Sequence, residues 1–334
     1  MRIDEYVPLS TLTTLRVGGA ARYVCHIESL KDLTDACEFA EAHALPIIPL
    51  GEGSNVLAPD EGLAAVILLM KLPGAIYEDM GTHVRVRASA GLSWDTFVSA
   101  CAERSVWGIE NLAGIPGTVG AAPVQNIGAY GASVSDSIEC VEAYDVQTKE
   151  SIRIPHDACR FGYRQSRFKN EKNLIITAVT FLLSKQGTPE LHYPDFAPFK
   201  DTCAQTPRAV TSLVREIRAK KFPDLTQFGT AGSFFKNPIV SREVYERLVE
   251  RYEGLPGFAE GDAVKIPVAW ILDRVLHLRG YTEGNVLLFQ NQPLVLVTQN
   301  GATADAVKKF AEVIAEKVFA VSEIKISPEV QFLK

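Results

Sequence analysis

The apolar positions in the first part of the chain predict a strand, a helix and two further strands in succession. Apolar residues three and four positions apart indicate a helix, and short apolar runs bounded by Gly or Pro indicate buried strands. The predicted elements are a strand at 21–27, a helix at 30–44, and strands at 46–50 and 64–70. This order predicts a compact βαβ lobe that ends near residue 73.

A second lobe begins with the alternating segment 83–88, which is typical of a half-buried strand. Ser93 is a candidate cap for the helix that follows, and Asp95 lies in its first turn, where a negative charge is favourable. Further strands are predicted at 138–146, 151–154 and 173–183.

From about residue 189 the composition changes, and helical and strand patterns alternate. Pro207 directly behind Thr206 marks a helix start. One apolar face of that helix comprises Val210, Leu213, Val214 and Ile217. The remaining patterns predict strands at 232–240, 293–298 and 324–333 and helices at 242–253, 268–276 and 304–321. A separate α/β domain is therefore expected.

Two glycine-rich runs interrupt these patterns. The longer, GIENLAGIPGTVGAAPVQNIGAYG at 108–131, contains glycines and prolines that exclude a long helix. Its side chains offer few donors, so its backbone N–H groups are the candidates for anion binding. The shorter run, GEGSNVL at 51–57, follows an apolar strand, but Val56 stands where a Rossmann fingerprint has its third glycine. We interpret the runs as two phosphate-type loops; a long structural loop is the alternative for the first.

The bulk properties restrict the class of protein. A chain of 334 residues can form two or three domains, and a net charge of −6 argues against nucleic-acid and anionic-membrane partners. The longest apolar run, 63–70, is far shorter than the ~18 residues of a membrane span, and the first residues lack a signal-peptide pattern. The six cysteines, at 25, 37, 101, 140, 159 and 203, form no CxxC and no metal-type spacing. We expect reduced thiols, a cytoplasmic location and no metal site.

The glycine-rich runs belong to a longer series of motifs that carries a family resemblance. They are followed by FGYRQSRFK at 161–169, GSFFKNP at 232–238, WILD at 270–273 and PEV at 328–330. Over nearly its whole length the chain resembles the UDP-N-acetylenolpyruvoylglucosamine reductases. The resemblance implies a mixed α+β or α/β protein. Its parts are a two-lobed FAD-binding fold of the vanillyl-alcohol oxidase (PCMH) type and a C-terminal α/β substrate-binding domain. The implied segments are FAD-binding lobes at 1–73 and 74–188, the substrate-binding domain at 189–325, and a terminal strand at 326–334 that carries a catalytic glutamate.

The family's reaction is the reduction of UDP-N-acetylglucosamine enolpyruvate to UDP-N-acetylmuramate for peptidoglycan synthesis. The resemblance implies NADPH as co-substrate and a hydride delivered from N5 of FAD to the enolpyruvyl group. Neither glycine-rich run contains a histidine for covalent attachment, so we expect dissociable FAD. We also expect a monomer whose partners are small molecules.

Three residues take catalytic roles by this resemblance. Arg164 can bind the substrate carboxylate with two donors and stays charged at any working pH. Ser233 is the implied proton donor. Glu329 would repel the substrate carboxylate if ionised, so we expect it to be protonated or paired with Arg164. Without the motifs, each has an ordinary structural explanation: a surface arginine, a small residue beside two phenylalanines, and an exposed strand glutamate.

The motifs also imply binding residues. The cofactor set is Gly51, Gly53, Ser54, Asn55, Ile115, Pro116, Gly117, Gly120, Ala121, Gln125, Asn126, Gly128, Ala129 and Tyr130. The substrate set is Tyr163, Tyr193, Lys221, Lys236, Asn237 and Gln292. Tyr193 lies where one subtype of the family carries a tyrosine loop, and the two lysines are candidates for the diphosphate.

Two other functions remain open from the sequence. One is an oxygen-using alcohol or lactone oxidase on the same flavin fold, which does not need Arg164, Ser233 and Glu329 together. The other is a nucleotide-sugar binding protein without catalysis, which the retention of all three residues disfavours.

Overall fold

The computed structural model describes residues 1–200 and 205–334, and the chain divides into two compact units. The first unit comprises Met1–Val7, Ala21–Glu52 and Ala64–Arg218. The second comprises Pro8–Ala20, Gly53–Leu63 and Ala219–Lys334. Among the described residues, no helix has the length and apolar character of a membrane span.

The first sheet of the first unit contains the predicted βαβ element. Its strands stand in the order Arg2–Pro8, Ala20–Ile27, Leu63–Met70 and Ile47–Leu50. The last two strands pair in parallel, and the helix Leu30–Ala42 lies between Ala20–Ile27 and Ile47–Leu50 in the chain. Ser29 begins this helix, since its side chain accepts a hydrogen bond from the Asp32 amide.

The second sheet of this unit is antiparallel, in the order Glu150–Pro155, Ile138–Asp145, Leu174–Ser184, His83–Ser89 and Ala75–Asp79. The helices Trp94–Glu103 and Arg167–Asn170 belong to the same unit, as do residues 207–218 of the helix Pro207–Lys221. In the helix Pro207–Lys221 the predicted apolar face is buried and Thr206 caps the first turn, as expected. The prediction that the Ser93 side chain caps a helix is wrong: Ser93 occupies the N-cap position, but its side chain makes no capping hydrogen bond.

The second unit is built on an antiparallel sheet in the order Gly229–Ser233, Gln292–Thr298, Val286–Phe289 and Thr282–Glu283. A three-stranded sheet has the order Ile239–Ser241, Ala263–Lys265 and Phe258–Glu260. The strand Val56–Leu57 pairs in parallel with Gln331–Phe332. The helices are Arg242–Arg251, Val268–Trp270 and Ala304–Ser322, and a π-helical turn, Ile271–Val275, continues the second.

Two predicted strands differ in extent from the structure. The pattern at 232–240 predicted one strand, but the chain forms Gly229–Ser233 and, separately, Ile239–Ser241. Of the predicted strand 324–333, only Gln331–Phe332 is a strand, and Pro328 makes an isolated bridge with Phe235. Proline lacks an amide donor, which limits regular pairing at this point.

The predicted segment boundaries do not coincide with the two units. Residues 189–200 and 205–218 belong to the first unit, where Arg215 contacts Asp95. The last residues, expected as a separate strand segment, belong to the second unit. They pair with Val56–Leu57, and the segment Gly53–Leu63 lies in the same unit.

Candidate functional site

In the first unit, Arg164 occupies a tight turn. Gly162 and Gln165 exchange two backbone hydrogen bonds of 3.1 Å each, which leaves Tyr163 and Arg164 between them. Arg164 has a φ of +53°, in the left-handed region. A non-glycine residue there costs about 1–3 kcal/mol, and such strain concentrates at functional sites. The turn holds the half-buried Arg164 side chain in a restricted position.

The Arg164 turn is fixed directly to the long glycine-rich run. The Asn126 amide nitrogen donates to the Gly162 carbonyl (3.1 Å), and the Ser166 hydroxyl donates to the Val124 carbonyl (2.6 Å). The Arg164 guanidinium itself donates to the Gly128 carbonyl (3.2 Å). Asn126 and Gly128 of the predicted cofactor set therefore lie beside the arginine assigned to the substrate.

The glycine-rich run forms turns without a long helix, as its composition predicts. Gly128–Ala129 and Ala132–Ser133 form a hairpin whose two connecting residues, Tyr130 and Gly131, both have positive φ (+51° and +87°). Two positive φ values are the signature of a type I′ turn.

The backbone amides of this run are less free than the sequence suggests. Val119 donates to the Leu92 carbonyl and Gly120 to the Ala90 carbonyl (2.9 Å each). The Gly117 amide donates to the Glu52 carboxylate (2.8 Å). These three amides are used within the protein, so a ligand here depends more on the side chains and on other amides.

The partial exposure of the predicted cofactor set nevertheless leaves most of its residues accessible to a ligand. Most members of the predicted cofactor set are half-buried, neither sealed in the core nor fully exposed. The half-buried members are Gly51, Ser54, Asn55, Ile115, Pro116, Gly120, Ala121, Gln125, Gly128 and Ala129. The buried members are Gly53, Gly117, Asn126 and Tyr130.

Arg218 is a charged neighbour of this run that the sequence reasoning missed. Its Nε donates to the Gly114 carbonyl (3.0 Å), and it interacts with the Tyr130 hydroxyl. Desolvation lowers the pKa of Arg218, and burial raises the pKa of Tyr130 to about 12. Arginine nonetheless stays charged. The feature of the sequence that could have identified Arg218 is its position directly after the apolar face of the helix Pro207–Lys221.

Tyr193, the candidate loop tyrosine, packs on the same part of the first unit. Its ring meets the Tyr130 ring edge to face at a centroid distance of 5.4 Å, and the Phe196 ring lies 5.3 Å from the Tyr130 ring. Tyr193 is still 39% exposed. Membership of the tyrosine-loop subtype remains a prediction.

In the second unit, the Gly53 turn is held from the N-terminal side. Gly53 has a φ of +61°, and a Cβ added there would lie 2.2 Å from the Leu12 carbonyl oxygen. The Gly53 carbonyl accepts a hydrogen bond from the Thr14 amide (3.1 Å). Glycine is therefore required at this position by both conformation and space.

The C-terminal segment brings Glu329 to Ser233 and to the same turn. The Glu329 amide donates to the Phe234 carbonyl (2.7 Å), next to Ser233. The Gln331 amide donates to the Asn55 carbonyl (3.0 Å), and the Asn55 side chain reaches the Glu329 carbonyl (3.4 Å). Glu329 is 8% exposed, whereas Ser233 is half-buried. Two of the three predicted catalytic residues and part of the cofactor set thus share neighbouring backbone segments.

Of the predicted substrate residues in the second unit, Lys236 and Asn237 follow Ser233 closely in the chain, whereas Lys221 ends a helix and Gln292 begins a strand. Lys221, Lys236, Asn237 and Gln292 are all half-buried. The Lys236 amide donates to the Ser327 carbonyl (3.0 Å), while the Asn237 side-chain oxygen accepts from the Val268 amide (3.0 Å). Asn237 therefore also has a structural function at the start of a helix.

Two buried side-chain oxygens near the predicted cofactor segments are unpaired. The buried Thr13 hydroxyl, beside the Gly53 turn, and the buried Asn111 side-chain oxygen, in the long glycine-rich run, have no hydrogen-bond partner in the protein. A buried unpaired polar atom is costly, so each calls for a water molecule or a ligand. Within the described residues, no group of His, Cys, Asp and Glu could hold a metal. Cys25, Cys37, Cys101, Cys140 and Cys159 are free and buried, and Cys203 lies outside the described residues.

Comparison with known proteins defines the class first. A family model described as an FAD binding domain matches residues 21–151. A second, described as the C-terminal domain of UDP-N-acetylenolpyruvoylglucosamine reductase, matches residues 224–333. The protein is an FAD-dependent oxidoreductase, and the expected fold is confirmed: an FAD-binding fold of the vanillyl-alcohol oxidase (PCMH) type with a further C-terminal domain.

The relatives then give the family. The chain is 36% identical over 338 residues to the UDP-N-acetylenolpyruvoylglucosamine reductase of Ralstonia nicotianae, with 98% of each chain covered. It is 39% identical over 329 residues to that of Cupriavidus pinatubonensis, with 97% of each covered. The crystal structure of the Thermus caldophilus reductase has the same fold, with a TM-score of 0.71 at 23% identity and full coverage of both chains. This chain belongs to the UDP-N-acetylenolpyruvoylglucosamine reductase family.

Proposed function

We propose that the protein reduces the enolpyruvyl ether of UDP-N-acetylglucosamine enolpyruvate to UDP-N-acetylmuramate, with NADPH as reductant, in peptidoglycan precursor synthesis. Family membership supports the substrate class, and the FAD-binding domain supports the cofactor. The observation that carries the proposal is the hydrogen-bonded set of backbone segments in the second unit that contains the Gly53–Asn55 turn, Ser233 and Glu329.

Each catalytic residue has a defined task in this proposal. The predicted cofactor residues, among them the Gly53–Asn55 turn, would hold FAD, which when bound would supply a hydride originating from NADPH for the methylene carbon of the enolpyruvyl group. Arg164 binds the substrate carboxylate with two donors and offsets the charge that develops there, an effect of about 3–4 kcal/mol for one well-placed donor. Ser233 donates a proton to the neighbouring carbon. The hydride and the proton together convert the carbon–carbon double bond of the enolpyruvyl group into a single bond.

Glu329 acts on the same half of the reaction. It is buried beside the Ser233 strand, where an ionised carboxylate would repel the carboxylate of the substrate. We assign Glu329 a role as an acid or as the partner of a cation while substrate is bound. For substrate binding, we propose Lys221 and Lys236 as charges for the diphosphate and Tyr163, Tyr193, Asn237 and Gln292 as further contacts.

An anaerobic half-reaction experiment tests the proposal. The purified protein should be yellow, lose its colour with NADPH, and regain it when the enolpyruvyl substrate is added. Ser233→Ala should leave bleaching intact and slow the return of colour ~10²-fold or more. Ser241→Ala is a matched control in the same unit, since this hydroxyl caps the helix Arg242–Arg251, and both half-reactions should be unchanged.

Other outcomes would favour other functions. Colour that returns only when air is admitted indicates an oxidase. A colourless protein that still binds the UDP-sugar indicates a binding protein. If Ser233→Ala slows both half-reactions equally, Ser233 is structural and its assignment as proton donor is wrong.

A further inference from the structure

The strand that ends at Ser233 contains a β-bulge directly before the serine. Thr230 pairs with Val297 and Ser233 pairs with Val295 on the neighbouring strand, so three steps along one strand match two along the other. The extra residue lies at Ala231–Gly232. Gly232 has a φ of +75°, the left-handed conformation that such bulges require.

This bulge decides which face of the sheet carries Ser233. Side chains alternate along a strand, so residues three positions apart normally point to opposite faces. Because Val295 and Val297 share one face, their partners Ser233 and Thr230 share it as well. Without the extra residue, Ser233 would be turned to the other side of the sheet.

The Thr230 hydroxyl connects the bulge to the neighbouring strand by hydrogen bonds. It accepts a hydrogen bond from the Gly232 amide (3.1 Å) and donates one to the Leu296 carbonyl on the neighbouring strand (2.7 Å). Thr230 is 5% exposed, so water does not readily replace these bonds. The Thr230 amide is also used, since it donates to the Thr14 carbonyl (2.8 Å).

We propose that Thr230 is a positioning residue for the proton-donating step: its hydroxyl fixes the bulge that orients Ser233. The inference rests on the proposed function of Ser233 and adds a residue outside the catalytic and binding sets. Thr230 itself transfers no proton to substrate. A displacement of the donor by about 1 Å can cost ~10²-fold in rate, so the position of the bulge affects one half-reaction selectively.

The test uses Thr230→Val, which keeps the shape and removes the hydroxyl. Return of colour with the enolpyruvyl substrate should slow ~10- to 100-fold, while bleaching by NADPH should be unchanged. The solvent deuterium isotope effect on the return of colour should rise, because proton transfer becomes more rate-limiting. Thr230→Ser, which restores the hydroxyl, should recover most of the rate. Gly232→Ala strains the same bulge without a clash, since nothing lies within 4 Å of the added Cβ, and should give the same pattern if Thr230→Val fails to fold.

Thr298→Val is the matched control. Thr298 is 3% exposed in the adjoining strand, and its hydroxyl donates to the Leu15 carbonyl (2.6 Å), away from the bulge. It should reduce stability without selective loss of the second half-reaction. An equal loss in Thr298→Val would overturn the inference, because general loosening of the sheet would explain both variants.

A double variant separates this inference from the proposed function. If Thr230 acts through Ser233, then Thr230→Val adds no further slowing in the Ser233→Ala background. Independent, multiplicative losses would overturn the positioning role while leaving Ser233 as proton donor. A Ser233→Ala protein with normal return of colour would overturn the assignment of Ser233 as proton donor, and this inference with it, while the proposed reduction of the enolpyruvyl substrate would stand.

Discussion

The Gly53 turn offers a sharp test of how closely the second unit packs around its cofactor segment. An added Cβ at Gly53 would lie 2.2 Å from the Leu12 carbonyl oxygen and 2.8 Å from the Thr13 Cα. Both are backbone atoms, so no side-chain rotation can relieve the overlap. Gly53→Ala must therefore displace either the turn or the segment that contains Leu12.

Two other glycines of the same unit isolate the effect of the overlap. Gly53, Gly261 and Gly284 have nearly equal φ values of +61°, +59° and +58°, but at Gly261 and Gly284 an added Cβ meets nothing within 4 Å. The two controls should lose only the strain of a left-handed alanine, about 1–2 kcal/mol. Gly53→Ala adds overpacking of about 1–3 kcal/mol and weakens the Thr14–Gly53 hydrogen bond, so a total loss of ~3–5 kcal/mol is expected.

Urea unfolding followed by fluorescence measures these differences. The FAD content after gel filtration is a second reading, since the same turn is assigned to the cofactor. Gly53→Ala should unfold at a lower urea concentration than either control and should lose flavin, while the controls keep it. Equal midpoints for Gly53→Ala and Gly261→Ala would refute the argument from close packing. If Gly53→Ala unfolds at a lower urea concentration than the controls but retains its flavin, the assignment of the turn to the cofactor is refuted.

Three further predictions concern the first unit. Burial raises the pKa of four of its thiols, to about 11 in Cys25 and Cys37 and to about 12 in Cys101 and Cys159. Because an unfolded thiol has a pKa of ~8.5, the native state binds more protons at alkaline pH. The free energy of unfolding should then fall between about pH 9 and 11, by up to ~1.4 kcal/mol per pH unit for each thiol; a flat series of urea titrations would contradict this. Arg164→Lys keeps the charge but loses the two-donor geometry, so return of colour with substrate should slow ~10-fold or more while bleaching by NADPH stays normal. Arg215→Ala removes bonds of 2.9–3.1 Å to the partly exposed Asp95 carboxylate and should lower the urea midpoint by an amount equivalent to about 1 kcal/mol; an unchanged midpoint would show that solvent fully screens this pair.

The sequence predicted those elements whose signals are local. The helix Pro207–Lys221 carries its cap and its apolar face in consecutive residues, and both are confirmed. The absence of a long helix between residues 108 and 131 follows equally from glycine and proline content. Ser93 shows the limit: it is a good capping residue at the start of a helix, but its side chain makes no capping bond and its backbone pairs with the distant Thr118. Tertiary contacts overrode a local preference.

The supporting parts of the candidate site could not be predicted because they depend on pairs that are distant in sequence. Arg164 stood out through its motif, yet its attachment to the glycine-rich run depends on Asn126 and Gly128. The bulge before Ser233 is visible only once the pairing with Val295 and Val297 is known. A one-residue change of register reverses the face on which a side chain lies, and only the pairing of the two strands establishes it.

The backbone of the second unit places Ser233 and Glu329, which belong to separate motifs, on neighbouring hydrogen-bonded segments. Thr14 links two segments, because its amide donates to the Gly53 carbonyl and its carbonyl accepts from the Thr230 amide. The C-terminal segment makes a second link through Asn55 and Glu329. The cofactor turn is thus tied to the Ser233 strand along two independent routes, one from each end of the chain. Since both routes consist of backbone and short side-chain hydrogen bonds, substitutions far from the reacting atoms can change the geometry of proton donation without touching a catalytic residue.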